Sequence, residues 1–127
     1  MLSTSLLITT PHKISIDDIH IAIQRHTLHT TFSGNHPDVF IIEPKEEKVS
    51  ISIDQVHELA KLSWHRPIQH AQRVIVIAPA DALTLPAQQA LLKTIEEPPA
   101  STQFLLLTQK PHKLIPTIHS RCRLVVL

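Results

Sequence analysis

The sequence predicts an α/β domain built on an open, five-stranded parallel sheet with helices on both faces. Three observations predict it. Short β-branched or leucine-rich runs recur, several of them apolar at every position, as strands read when both faces of a parallel sheet are covered. Segments of helical periodicity separate these runs and give the order β-α-β-α-β-α-β-α-β. A length of 127 residues suits one domain with one sizeable core, and at 3% aromatic content that core must be built from Ile, Leu, Val and Ala.

The expected strands are SLLITT (5–10), DVFIIEP (38–44), RVIVIAP (73–79), QFLLLT (103–108) and RLVVL (123–127). The first helix is expected over 15–29, with Ser15 as N-cap, Asp17 and Asp18 in the first turn, and Ile16, Ile19, Ile23 and His26 on one face. A second is expected over 53–64, capped by Asp54, with Val56, Leu59, Ala60 and Ser63 at helical spacing. The third, 84–97, starts with Thr84 as cap and Pro86 in the first turn, where no amide hydrogen is needed. Pro98 and Pro99 stop it, because a residue before proline leaves the helical region. A short fourth helix is expected over 113–121.

Composition narrows the function classes. A net charge of +1 gives no whole-chain field for nucleic acid or membrane. A single cysteine excludes an internal disulfide and a four-cysteine zinc module. No apolar run approaches the ~20 residues that span a bilayer. The opening residues lack a basic leader and a cleavage site, so a soluble cytoplasmic protein is expected.

Functional sites in such sheets lie beyond the carboxyl ends of the strands. A phosphate-binding turn there carries glycines, then Lys and Ser/Thr entering a helix. The stretch TTPHKIS (9–15) keeps Thr9, Thr10, Lys13 and Ser15, but the chain's one glycine, Gly34, is elsewhere and Pro11 removes an amide donor. Its plain reading is an ordinary strand-to-helix turn. An NTPase also needs an acidic pair after the third strand. Ala78 and Pro79 hold those two places, and Asp81 comes too late. Two parts of an ATPase site are therefore missing.

Near the carboxyl end, LIPTIHSRC (114–122) sets Arg121 between a serine and the cysteine. From the residues alone, Arg121 either serves phosphate chemistry or pairs with carboxylates or helix-end carbonyls. The stretch ALLKTIEEPPASTQFLLLTQKPHKLIPTIHSRC (90–122) resembles the ATPase core of bacterial DNA polymerase III clamp-loader subunits, of the AAA+ class. VIVIAPADALTLPAQQ (74–89), HPDVFIIEP (36–44), ISIDQVHEL (51–59) and SLLITTP (5–11) extend the resemblance over nearly the whole chain. It implies a three-layer P-loop-type core. With both nucleotide elements degenerate, it implies a subunit of the delta-prime kind.

Such a subunit binds no cofactor itself. It presents Arg121 as an arginine finger to ATP and magnesium on a neighbouring gamma/tau subunit, with Ser120 and Cys122 positioning the turn. The resemblance also implies an interface at Lys93, Glu96 and Glu97, and a polar sensor at Thr108 or Gln109. The delta subunit and the sliding clamp are further implied partners, and no membrane is. Residues 1–127 are expected to be a single degenerate core, without the family's lid and collar domains.

Two carboxylates at a helix carboxyl end oppose the helix dipole, so Glu96 and Glu97 are either interface groups or simply solvated. Ten histidines are expected on the solvated surface, including His26, His29 and His36 and the pair His65 and His70, with no metal site. Lys93, Lys110, Lys113, Arg121 and Arg123 gather late in the chain, and ordinary surface charge is the favoured reading over a weak DNA contact. Two other functions stand beside the clamp-loader one. They are a divergent NTPase using Lys13 with Thr9 or Thr10, and a non-replicative interaction scaffold.

Overall fold

The structure, a computed structural model, describes residues 5–63, 67–69, 72–99 and 101–127, without the side chains of 62 and 63. His65 and His70 lie outside the described residues. The elements run β1 (Ser5–Thr9), α1 (Ile16–His26), β2 (Val39–Ile42), α2 (Ile53–Ser63), β3 (Arg73–Ile77), α3 (Leu85–Glu96), β4 (Thr102–Thr108), α4 (Pro116–Arg121) and β5 (Arg123–Val126). Short 3-10 turns at Ala80–Ala82 and Pro111–Lys113 precede α3 and α4. The five strands pair in parallel in the order β2-β3-β4-β1-β5, as the expected fold class requires.

Every residue of β3 and β4 is buried. Successive side chains alternate between faces. Leu7, Ile75, Ile77, Phe104 and Leu106 meet α2, α3 and α4 through Leu59, Leu91 and Ile118. Leu6, Ile8, Val74, Val76, Leu105 and Leu107 meet α1 through Ile19, Ala22 and Ile23. One helix therefore covers one face and three cover the other. Strand β5, which reads like an inner strand, lies at the sheet's edge with Leu124 and Val126 exposed.

Local chemistry moves several expected boundaries. Helix α1 ends at His26, not at residue 29, because the Thr27 hydroxyl donates back to the Ile23 carbonyl at 2.7 Å and accepts from the His29 amide at 3.0 Å. Ile16 is exposed, and Asp18 takes a buried place on this helix instead. Helix α2 is capped by Ser52, not Asp54. The Ser52 hydroxyl accepts from the Gln55 amide, and the Gln55 side chain accepts from the Ser52 amide at 3.1 Å, a reciprocal capping box. The single helix expected over 113–121 is split. Leu114 and Ile115 are extended ahead of Pro116, which opens α4 at its first position. Helix α3 follows the sequence reading, with the Thr84 hydroxyl accepting from the Ala87 amide and Glu97 out of the helix.

Leu91 of α3 is fully buried against the sheet. Leu91→Ala should lower the unfolding free energy by about 2–5 kcal/mol, read by urea denaturation, because it removes contacts and leaves a cavity.

Candidate functional site

A crevice of about 330 Å³ opens at the carboxyl ends of the strands. Segments following β1, β2, β3 and β4 all reach it, as the topology dictates. Of the residues expected there, Lys13, Ser15, Ala78, Pro79 and Gln109 line it. Thr9 instead stays paired with Thr108 in the sheet. Thr10 is buried, and its hydroxyl donates to the His12 carbonyl at 2.6 Å.

The amino end of α1 faces this crevice. A helix start of this kind holds an anion when its amides are free. Here the chain's own Asp18 places a carboxylate at that helix start, in a capping box with Ser15. Its carboxylate accepts from the Ser15 amide at 2.8 Å and from the Ser15 hydroxyl at 3.0 Å, while the Asp18 amide donates to that hydroxyl at 3.2 Å. The His12 ring lies 3.2 Å from the same carboxylate. The Ser15 amide bond is the main cause holding the Asp18 carboxyl below its ordinary value of 3.8, and His12 adds to it against the opposing effect of burial.

Asp81 does not directly follow β3, but the 3-10 turn at Ala80–Ala82 brings it into the crevice wall. The sensor-position Thr108 donates to the Asp81 carboxylate at 2.6 Å and accepts from the Lys110 amide at 2.9 Å. Thr108 is thus engaged within the chain, and Gln109 is exposed. Asp18 and Asp81 are the groups that sequence reasoning missed here. The spacing of Ser15 and Asp18 fits a capping box and could have revealed the first.

The remaining candidates lie at the other end of the sheet. Helices α3 and α4 pack together and both finish near the amino ends of the strands they precede. Lys93, Glu96, Glu97, Ser120 and Arg121 are all exposed there. Cys122 follows α4. Its amide donates to the Ile118 carbonyl at 3.1 Å, and it packs against the core below α3 and α4. Burial pushes the thiol up to about 11, so it is a packing group with little thiolate at neutral pH. The Ser120 hydroxyl donates to the Thr117 carbonyl at 2.9 Å.

Arg121 precedes Arg123, which pairs with Leu6 near the start of β1. The crevice begins past Thr9, so roughly four residues of strand, about 13 Å, separate the two levels. Arg121 therefore stands away from its own chain's crevice.

The late basic residues form no single patch: Lys110 lines the crevice, Arg121 ends α4, and Arg123 lines a different cavity beside α1. His29 is a buried group, not a solvated one. Its ring nitrogen lies 2.7 Å from the Gln72 carbonyl, and its ring meets that of His36 edge-on at 4.8 Å. Among the described residues no group of three or more His, Cys, Asp or Glu could hold a metal ion, and no helix is long and apolar enough to cross a membrane.

Residues 9–127 match the family model described as "DNA polymerase III, delta subunit". The chain belongs to this family. It is 43% identical over 93 residues to the DNA polymerase III subunit delta' of Escherichia coli, covering 72% of this chain and 28% of that protein. It is 40% identical over 90 residues to the Pseudomonas aeruginosa subunit delta', covering 71% of this chain and 27% of that one. The chain thus spans under a third of the length of these curated relatives. A crystal structure of a DNA polymerase III gamma subunit-related protein from Thermotoga maritima superposes with a TM-score of 0.80 at 26% identity, covering 98% of this chain and 41% of that one. The fold is accordingly the AAA+ core expected from the resemblance.

Asp18→Ala should destabilise the family's α1 entry by about 1 kcal/mol at neutral pH, the usual cost of a lost cap. Because Asp18 titrates lower in the folded state, its contribution is present above pH 3.8 and is lost as pH falls through the lower folded value. Urea unfolding of both proteins should therefore show a gap at pH 7 that narrows below pH 3.8.

Proposed function

We propose that this chain is a delta-prime-like clamp-loader subunit that hydrolyses no ATP of its own and completes the ATP site of a neighbouring gamma/tau-type subunit. One observation carries the reading: Arg121 is exposed at the rim opposite a crevice whose phosphate-facing helix end is capped by the chain's own carboxylate. An arginine so placed meets a phosphate only on another molecule. Its guanidinium would offset charge on the transferring phosphoryl group, an effect worth about 10³–10⁵ in rate where such fingers act.

Lys93, Glu96, Glu97 and Ser120 share the rim with Arg121 and would make the contact surface. Cys122 would fix the turn from beneath. ATP and magnesium belong to the partner in this scheme, and the complex works in the cytoplasm on DNA. The delta subunit and the sliding clamp are its further partners, with at most a weak DNA contact from this chain.

Arg121→Ala should leave thermal unfolding unchanged and lower the ATPase rate of a reconstituted complex with a gamma/tau-type subunit by orders of magnitude. An unchanged rate would refute the finger. Differential scanning fluorimetry separates this reading from the divergent-NTPase one. Mg-ATP should leave the melting temperature of the isolated chain unmoved, whereas a saturable rise would mean binding to the folded state.

A further inference from the structure

A second cavity, about 450 Å³, lies at the amino ends of the strands between α1 and β5. Arg25 and His26 reach it from the last turn of α1, and Arg123 reaches it from the first position of β5. The remaining polar groups of its wall are neutral, among them Gln72, Thr102 and Gln103, and no described acidic residue lines it. No described carboxylate pairs with either guanidinium there. Three basic groups from two elements thus converge without a counter-charge.

A helix carboxyl end ordinarily repels an anion through its free carbonyls. That obstacle is reduced here. Gln103 is buried and its side-chain amide donates to the His26 carbonyl at 2.8 Å. The Ile23 carbonyl accepts from both the amide and the hydroxyl of Thr27. Gln72 extends the network, donating to Gln103 at 2.9 Å and accepting from the Leu28 amide at 2.8 Å. These bonds tie the last turn of α1 to the starts of β3 and β4 and give the cavity a fixed floor.

We infer that this cavity is a phosphate-binding site, with Arg25, His26 and Arg123 as its ligands. Guanidinium groups match the oxygens of a phosphate in paired hydrogen bonds, and a phosphate offers more acceptor oxygens and charge than a single carboxylate. The group bound is either a phosphodiester of a nucleic-acid backbone or free phosphate, since both present the same chemistry to these residues. Burial first, then the charges of Arg25 and Arg123, hold the His26 imidazole below its ordinary value of 6.5. An anion between the three groups reverses the last effect. The site is independent of the finger at Arg121.

The test follows the His26 ring by NMR in the full chain, with chloride exchanged for inorganic phosphate at constant ionic strength. Phosphate should raise the His26 titration midpoint by about one unit, the scale expected for an adjacent opposite charge. A parallel titration uses a short oligothymidylate at equal phosphate concentration. A tighter response to it assigns a nucleic-acid backbone, and an equal response per phosphate assigns free phosphate. The double variant Arg25→Gln with Arg123→Gln should abolish the shift. Absence of a shift with both ligands in the unaltered chain overturns the site whether or not the variant folds. A shift that persists unchanged in a folded double variant overturns it as well.

Discussion

Complete burial of β3 and β4 is the constraint on which the rest of the structure depends. Strands covered on both faces can satisfy their backbone only through neighbouring strands, and parallel neighbours need a crossover for every strand. Each helix therefore starts near the carboxyl ends of the strands and finishes near their amino ends. The two ends of the sheet acquire different chemistry from this polarity alone. Helix starts and the loops before them gather at one end, where anions are favoured. Helix finishes gather at the other, where cations are favoured. Arg25, His26 and Arg121 obey that rule. Glu96 and Glu97 break it, both exposed at the finish of α3.

The inner strands were legible because their central positions are apolar on both faces. The edge was not. RLVVL carries the same signal as an inner strand, and its exposure follows from β1 lying between β4 and β5, which local pattern does not encode. Helix limits failed where a side chain competes with the backbone, as Thr27 does at the end of α1 and Ser52 at the start of α2. That Asp81 still reaches the crevice was not legible, because a 3-10 turn shortens its path from β3. His29 was misread because burial of an imidazole depends on a carbonyl 43 residues away, at Gln72. The missing glycines and acidic pair, by contrast, needed no geometry to be noticed.

The polar groups of the crevice have partners within the chain. The Thr10 hydroxyl serves a backbone carbonyl, Thr108 serves Asp81, and Ser15 and Asp18 serve each other. Each such bond removes an unsatisfied group, and leaving one buried costs about 1–3 kcal/mol. A phosphate entering here would meet a carboxylate already bonded to the Ser15 amide, and like charge opposes its approach. The crevice is therefore internally satisfied as it stands.

Arg121 and Arg123 show how one short turn can send two guanidiniums to separate places. On a continuous strand, residues two apart would share a face. Here Arg121 is the last residue of α4 and Arg123 the first of β5, so the backbone changes period between them. Cys122 stands at the change, with its amide closing α4 on Ile118 and its half-buried side chain packed against the core on the side of α3 and α4. The following residue crosses to the side of α1, where Arg123 meets Arg25 and His26. The two guanidiniums are thus parted by the switch from helix to strand at Cys122, whose thiol is a packing group.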